Sequence, residues 1–302
     1  MGHKFKGERL TRHVRTRRLA DYGKHTRFRG GRHPATMRNM ALPLSAQRIA
    51  ASCRTTARQV VIEVVAETGS TNADLLARLD TLSSPTLLAA ERQTAGRGRA
   101  GRIWHSAPGA SLTFSLAWKF NRPLKALAGL PLAAGVAIAE ALFLFGVECR
   151  LKWPNDVLKD GNKLAGILIE TAAAKNAPHD SIWAVIGIGL NIAIPDSLAA
   201  QIGRPVADLP VPGMDRNLLT AGVLNVLSEV LVQFDAAGFS AFVARWNLLH
   251  AYTGQQVAIF DGGRISHEGR AMGVDDSGCL LLDTASGRVA VMAGDVSLRI
   301  VS

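Results

Sequence analysis

Apolar residues follow two different periods along this chain, and the change of period predicts two folded regions. From residue 59 to about 252, short β-branched runs alternate with longer segments of helical spacing, which is typical of an α/β (α+β) domain with a mixed sheet. Beyond Thr253, short alternating runs are separated by glycine-containing turns. This second pattern predicts a small β-barrel.

The elements predicted by these patterns are as follows. In the first region, strands are predicted at 59–66, 87–93, 111–118, 148–152, 163–171 and 182–190. Helices are predicted from a capping turn at 68–72 to about 79, and at 123–145, 217–236 and 239–250. A loop is predicted at 195–214 and a turn at 154–156, from their Pro, Gly, Asn and Asp content. In the second region, strands are predicted near 256–260, 264–273, 279–283, 288–292 and 296–300.

The net charge of +11 resides almost entirely in the first 40 residues. They hold twelve of the 35 basic residues and two of the 24 acidic ones, so the remainder carries 23 basic and 22 acidic residues. Such a leader is compatible with an RNA-binding arm, an organelle transit peptide, or residues upstream of the natural start at Met37 or Met40. It shows no helix-turn-helix periodicity, so no sequence-specific DNA binding is predicted.

These boundaries predict three parts. Residues 1–55 are predicted to be a basic, disordered leader or a wrongly assigned start, residues 56–252 the first folded domain, and residues 253–302 the barrel.

Cysteine usage and hydropathy argue against a disulfide framework, a cysteine metal site and a membrane span. Cys53, Cys149 and Cys279 are odd in number and far apart, so neither a disulfide framework nor a metal site is predicted. The most apolar stretch, 126–146, is interrupted by Gly, Pro and Glu and is predicted to be a buried helix rather than a membrane span. A cytoplasmic location is therefore expected.

The segment from Gly96 to Arg102 holds three glycines and three arginines and predicts an anion-binding loop. Glycine lets the backbone approach a ligand closely, and each guanidinium matches the oxygens of a phosphate or carboxylate. The segment is not a Walker loop, because no Gly-Lys-Ser/Thr sequence ends it. By itself it is equally compatible with a surface turn or an RNA-contacting loop.

Four motifs in a fixed order carry a resemblance to a known family. One motif, Ser70-Thr71-Asn72, precedes the glycine and arginine loop. Three motifs follow the loop: Lys152-Trp153-Pro154-Asn155-Asp156, the Lys-Leu-Ala-Gly-Ile sequence at 163–167, and the Gly-Ile-Gly-Leu-Asn sequence at 187–191. This order resembles that of the biotin protein ligases, from about Val60 to the C-terminus. The resemblance implies an α/β catalytic domain followed by an SH3-like barrel.

The resemblance also implies a reaction and its partners. The family uses ATP, which brings Mg²⁺, to convert the carboxylate of biotin into biotinyl-5′-adenylate, and a lysine of the biotin carboxyl carrier domain of acetyl-CoA carboxylase or a related carboxylase then takes the acyl group. A homodimer is a further possibility. No membrane association is expected.

The resemblance assigns roles to residues of this chain. The implied catalytic residues are Lys163, Arg97, Arg99 and Asp156. The implied biotin-binding residues are Ser70, Thr71, Asn72, Gln93, Gly96, Arg97, Trp104, Lys163, Gly166, Gly187 and Gly189. The implied ATP-binding residues are Arg97, Gly98, Arg99, Arg102, Asn155, Lys163 and Asn191. No dedicated metal ligand from the protein is expected.

Structural explanations compete with several of these assignments. Ser70 is a good helix cap, a lone lysine such as Lys163 is usually a solvated strand flank, and Trp104 is compatible with a core position. At the level of the whole chain, the alternatives are a lipoate or octanoate ligase of the same superfold, a nucleic-acid-binding regulator driven by the leader, and a carrier-binding module without catalysis.

Overall fold

A mixed sheet organises the first region in the computed structural model, which describes residues 42–174, 181–211, 213–294 and 296–301. Seven strands of the described chain form it: β1 (Val61–Thr68), β2 (Thr86–Gln93), β3 (Ser111–Phe120), β4 (Arg150–Lys152), β5 (Asp156–Lys159), β6 (Asn162–Ala173) and β7 (Ile182–Asn191). Their order is β1-β2-β3-β7-β6-β5-β4, with β1 parallel to β2 and all other neighbours antiparallel. The predicted mixed sheet is confirmed.

Helices cover both faces of this sheet. They are α1 (Ala46–Ala51), α2 (Thr71–Ala77), α3 (Leu130–Leu144), α4 (Asp196–Ile202), α5 (Arg216–Ala237) and α6 (Val243–Leu249). The main core contains the buried residues of α3 and α5 with Leu87, Phe114 and Ile186, whereas α2 packs with Leu88 and Val185 in a second cluster. Because side chains alternate along a strand, these consecutive positions lie on opposite faces. The sheet therefore separates a helical core from a smaller α2 face.

Small residues leave room on the α2 face at the centre of the sheet. Thr113 and Ser115 of β3 pair directly with Gly189 and Gly187 of β7, and Gly189 pairs in turn with Gly166 of β6. Residues paired across neighbouring strands project to the same face, so this row of small side chains forms a depression. The cavity described below lies there.

A β-bulge changes the direction of one side chain beside this depression. In the pairing of β5 with β6, Val157 faces Ala165 but Leu158 faces Lys163, so Leu164 is an extra residue in β6. An extra residue reverses the alternation of side chains along a strand. Lys163 therefore shares a face with Gly166, although three positions separate them.

The second region, predicted as a small β-barrel, is an antiparallel sheet of the predicted strands. Five strands of the described chain form it: β8 (Gln256–Asp261), β9 (Arg264–Val274), β10 (Leu280–Thr284), β11 (Gly287–Val291) and β12 (Val296–Ile300). Their order is β11-β10-β9-β8-β12. The fully buried Trp153 of the first region donates its indole N–H to the carbonyl of Gly278 at 3.2 Å, which ties the two regions together.

Two predicted helices begin later than expected. The segment predicted over 123–145 consists of a 3₁₀ turn at Leu124–Leu127 followed by α3, and Pro131 lies in the first turn of α3, where a missing backbone N–H costs nothing. The segment predicted over 239–250 likewise divides into a 3₁₀ turn at Phe239–Phe242 and α6. The helix expected to reach about residue 79 ends at Ala77.

Two predicted irregular segments contain regular structure. The stretch 195–214 is not entirely a loop, because α4 forms between Pro195, its N-cap, and Gly203, whose left-handed φ of 66° ends it. The turn predicted at 154–156 is wrong for Asp156, which begins β5. A strand of four residues is too short to show alternation in the sequence.

The prediction of disorder up to residue 55 is wrong for residues 42–55. Leu44 and Ile49 are buried in the main core, and α1 packs against α5. The predictions made for residues 1–41 lie outside the described residues.

A buried ion pair holds this segment to α5. Arg216, only 2% exposed, lies 2.7 Å from Glu91 and also donates to the carbonyl of Leu42 at 3.1 Å. Glu91 in turn accepts from the backbone N–H of Leu44 at 2.6 Å. One carboxylate therefore joins β2, α5 and the entering chain.

Two helical stretches are long and apolar enough to cross a membrane by composition alone, Leu124–Leu144 and Arg216–Ala237. Most of each lies inside the protein, with 72% and 61% of the apolar windows buried. Their apolar surface is therefore already covered by the core, as expected for the stretch 126–146.

Candidate active site

A cavity on the α2 face brings together nearly all of the predicted site residues. The predicted residues that line it are Ser70, Thr71, Asn72, Gln93, Arg97, Gly98, Arg99, Arg102, Trp104, Asn155, Asp156, Lys163, Gly166, Gly187 and Gly189. Gly96 and Asn191 are absent from this lining. Ser115 and Arg204 line it without having been predicted. Ser115 is signalled in the sequence only by its place in phase with Thr113 on a strand.

The glycine and arginine loop folds as a hairpin at the mouth of the cavity. The N–H of Trp104 donates to the carbonyl of Gly96 at 2.9 Å, and the N–H of Gly98 donates to that of Arg102 at 2.7 Å. A Cβ on Gly96 would lie 2.5 Å from the carbonyl oxygen of Trp104, so the close approach needs glycine. The role of Gly96 is therefore to shape the loop rather than to line the cavity.

The three arginines of the loop differ in their contacts. Arg99 donates to the amide oxygen of Asn155 at 3.1 Å and to the carbonyl of Gly294 in the second region. Asn155 is itself held by a hydrogen bond from its amide nitrogen to the carbonyl of Ile167 at 2.8 Å. Arg97 and Arg102 form no ion pair with a carboxylate in the part of the chain that the structure describes, which leaves their guanidinium groups for a ligand anion.

Lys163 and Asp156 form an ion pair within the cavity. Their Nζ and Oδ1 atoms lie 2.5 Å apart, and each side chain is 18% exposed. Lys163 reaches this position by folding over Gly166, where a Cβ would lie 2.9 Å from the ammonium nitrogen. The solvated-flank explanation for Lys163 is therefore wrong, because the ammonium points into a partly buried site.

The indole of Trp104 lies against Gly189 and Gly166 on the floor of the cavity. Its ring centroid is 5.9 Å from Nζ of Lys163, and its Nε1 is buried with no acceptor among the described residues. Cβ atoms on Gly189 and Gly166 would lie 2.2 Å and 3.4 Å from ring atoms. Trp104 is thus a wall of the cavity that contacts its floor.

A chain of polar side chains forms the other end of the cavity. Ser70 caps α2, as predicted, with its hydroxyl accepting from the N–H of Ala73 at 3.5 Å. Gln93 accepts at Oε1 from the N–H of Thr71 at 2.8 Å. The hydroxyls of Thr71 and Ser115 lie 2.6 Å apart, and Ser115 donates to Oδ1 of Asn72 at 2.5 Å.

These polar side chains have fewer hydroxyl protons to donate than they have oxygen–oxygen contacts. The Thr71 hydroxyl also lies 3.0 Å from Oε1 of Gln93, so three oxygen–oxygen contacts join Gln93, Thr71, Ser115 and Asn72. The two hydroxyls supply two protons, whereas the amide oxygens can only accept. The site therefore has surplus acceptors and favours a ligand that brings N–H donors.

Positive charge is concentrated around Lys152, which also lines the cavity. Burial is the largest cause that lowers the pKa of the Lys152 ammonium, and Asp156 opposes that effect. The neighbouring cations Lys163, Arg204 and Arg102 lower the pKa of Lys152 further. A ligand with several anionic oxygens would relieve this mutual repulsion.

Asn191 is buried beneath the site rather than exposed in it. Its amide nitrogen donates to the carbonyls of Lys163 at 3.2 Å and Ala207 at 2.9 Å, and the N–H of Ala207 donates to the carbonyl of Lys163 at 2.9 Å. The amide nitrogen of Asn191 thus holds the backbone at Lys163 and Ala207, and the expected contact of Asn191 with ATP stays a prediction.

Comparisons with known proteins agree with this geometry. A family model described as "Biotin/lipoate A/B protein ligase family" matches residues 61–191, and one described as "Biotin protein ligase C terminal domain" matches residues 252–299. The biotin--[acetyl-CoA-carboxylase] ligase of Mycobacterium tuberculosis is 37% identical over 78% of this chain and 88% of its own length. The bifunctional ligase/repressor BirA of Escherichia coli is 35% identical over 76% of this chain and 71% of its own length.

A solved structure is also similar. The biotin protein ligase from Aquifex aeolicus in complex with biotin and ATP has a TM-score of 0.64 and 30% identity, covering 80% of this chain and 99% of that one. Fold and site thus define a protein of the class that attaches biotin or lipoate to other proteins. Within that class, the chain belongs to the biotin protein ligase family.

Proposed function

We propose that this chain ligates biotin to a lysine of a biotin carboxyl carrier domain, using ATP and passing through biotinyl-5′-adenylate. The observation that carries the proposal is the arrangement of one cavity with two chemically different ends. At one end lie the cationic side chains of Arg97, Arg102 and Lys163. At the other end lie the polar side chains that have surplus hydrogen-bond acceptors. A ureido ring with two N–H groups and a carboxylate on a flexible arm complements both ends.

The first chemical step needs a carboxylate to act as a nucleophile towards phosphorus. In the proposed reaction, an oxygen of the biotin carboxylate bonds to the α-phosphorus of ATP while the bond to the pyrophosphate oxygen breaks. Negative charge shifts onto the phosphoryl and leaving oxygens, where Lys163, Arg97 and Arg99 would stabilise it. Arg99 already lines the cavity, and its contacts with Asn155 and Gly294 hold the guanidinium there.

The second step transfers the acyl group. The amine of the carrier lysine attacks the acyl carbon, the bond to the AMP oxygen breaks, and the amine loses a proton. Asp156 lies in the cavity as the nearest carboxylate to Lys163 and is the proposed acceptor of that proton. The carrier domains of acetyl-CoA carboxylase and related carboxylases are the proposed partners, in keeping with the names of the relatives.

ATP is expected to arrive with Mg²⁺. The residues that the structure describes contain no group of three or more His, Cys, Asp or Glu side chains suited to a metal. Phosphate oxygens and water would supply most of the ligands, which is the usual coordination of Mg²⁺ by nucleotides. Mg²⁺ would neutralise charge on the phosphates and leave the positioning to the cationic side chains.

The proposed location is the cytoplasm, where the three cysteines would stay reduced, as all three are free thiols in the structure. We also propose that the chain forms a homodimer and binds no specific DNA sequence. Light scattering of the purified protein tests the first statement, and selection of bound duplexes from a random-sequence pool, which should enrich no sequence, tests the second.

Lipoate or octanoate ligation is the competing proposal, since the first matched family includes lipoate ligases. The match of the second region to a biotin protein ligase C-terminal domain favours biotin. So does the surplus of acceptors at Gln93, Thr71 and Asn72, because neither lipoate nor octanoate carries an N–H donor.

The test is a transfer reaction followed by intact-mass measurement. Purified protein, ATP, Mg²⁺ and biotin are mixed with a biotin carboxyl carrier domain, and one biotinyl addition is expected. A carrier with its target lysine changed to arginine should gain nothing. Transfer of lipoate in place of biotin would support the competing ligase, and absence of transfer with either acid would reject both proposals.

A further inference from the structure

Glu170 is a carboxylate of β6 that touches the polar chain without lining the cavity. Its Oε2 accepts from Nδ2 of Asn72 at 2.8 Å, and the carbonyl of Leu168 lies 3.4 Å from the same nitrogen. Glu170 instead borders a neighbouring groove behind the glycine and arginine loop. Its contact with the site therefore passes through Asn72.

Two acceptors on one side determine which way the Asn72 amide faces. A carboxylate and a carbonyl accept hydrogen bonds and donate none, so the nitrogen of the amide turns towards them. The oxygen then faces Ser115, whose hydroxyl donates to it at 2.5 Å. The amide lies directly over Gly187, where a Cβ would stand 2.3 Å from Oδ1, so the absence of a side chain at Gly187 leaves room for this amide.

We propose that Glu170 is a positioning residue that fixes the Asn72 amide and thereby keeps the polar end of the cavity selective for ligands with urea-type N–H donors. This inference rests on the proposed ligation of biotin. Glu170 would keep the Asn72 amide oxygen turned towards the cavity before any ligand binds, so that the surplus of acceptors is already present.

If the Asn72 amide were rotated by half a turn, the polar end of the cavity would lose an acceptor. With Nδ2 facing Ser115, the serine oxygen would become an acceptor for Asn72, and one amide oxygen would be lost from the side that meets the ligand. A ligand N–H would then face a donor. Glu170 prevents this exchange because the reversed amide would place Oδ1 against its carboxylate, where two acceptors repel each other.

The experiment separates positioning from folding by a matched set of variants. Glu170→Ala removes the acceptor, Glu170→Gln retains an oxygen that can accept from Asn72, and Glu268→Ala removes a glutamate from β9 of the second region as a control. We expect Glu170→Ala to raise the KM for biotin about tenfold or more, with kcat and the KM for ATP changed less than about twofold, by loss of one partly buried hydrogen bond to a charged group. Glu170→Gln and Glu268→Ala should stay within about threefold of the unchanged protein.

A second measurement tests the same inference without any ligand. In ¹H–¹⁵N spectra of the ligand-free protein, the side-chain amide signal that Asn72→Asp removes should move in Glu170→Ala and remain near its original position in Glu170→Gln. An unchanged biotin KM in Glu170→Ala, or a parallel loss of kcat, biotin affinity and melting temperature, would overturn the inference. If the unchanged protein transfers no biotin, the proposed function fails while the amide signal still reports on Glu170.

Discussion

The indole of Trp104 covers Gly189 so closely that a Cβ at that position would stand 2.2 Å from ring atom Cε2. This contact places an aromatic wall directly on the floor of the cavity. Space for a bicyclic ligand between the two arises only if the indole moves outward. We therefore expect a ligand that binds over Gly189 to move Trp104.

Gly189→Ala should displace the indole, since inserting a methyl group into a packed contact costs about 1–3 kcal/mol. We expect weaker biotin binding and an altered tryptophan fluorescence spectrum, measured by titration and emission scans. Gly69→Ala is the matched control, because its Cβ would meet no atom within 4 Å. Equal biotin affinity in the two variants would contradict the proposed location of the ligand.

Lys163→Ala should slow adenylate formation about 10²–10³-fold, the usual effect of removing one donor that stabilises a developing oxyanion. Pyrophosphate release in single turnover measures this step directly. Lys119→Ala, on an exposed position of β3, is the control for loss of a lysine. If Lys163→Ala changed only the KM for biotin and left the single-turnover rate intact, a role in the chemical step would be wrong.

Glu91→Ala should destabilise the fold by about 3–5 kcal/mol, because it leaves the buried Arg216 guanidinium without its partner. Glu67→Ala removes a carboxylate from the pair with Arg92, in which both side chains are about half exposed, and should cost about 0–1 kcal/mol. Urea unfolding of both variants measures the difference. Similar midpoints would show that residues 42–55 are not held by this ion pair.

His250 should make the fold sensitive to acid. It stacks on Trp246, and neither ring nitrogen has a partner within the described chain, so burial lowers its pKa from 6.5 to about 4. The unfolded state then binds the proton more readily, and stability is complete above about pH 6.5 and falls as the pH drops towards 4, by up to about 3 kcal/mol.

His250→Phe keeps the aromatic packing and removes the titration. The free energy of unfolding, compared at pH 7.5 and pH 5, should fall less in this variant than in the unchanged protein. His267→Gln, on β9, controls for loss of a histidine that lies away from Trp246. An identical acid response in His250→Phe would assign the effect to other groups.

The sequence by itself determined the components of this protein. Local residue types specify the helix cap at Ser70, the tight loop at 96–102 and the alternation of side chains along the strands of the second region. Each of these features depends on neighbours within a few positions. The motif order then identified the family and most of the cavity lining. Residues predicted separately as biotin and ATP contacts meet in one place.

Only the tertiary structure decided how these components act on one another. The ion pair of Lys163 with Asp156 depends on a bulge between paired strands, and the role of Glu170 depends on an amide contributed from 98 positions away along the chain. Asn191 has the type of a ligand-binding residue, but strand pairing places it beneath the backbone of Lys163. Local patterns contain no record of such contacts, because register and packing between distant segments set them.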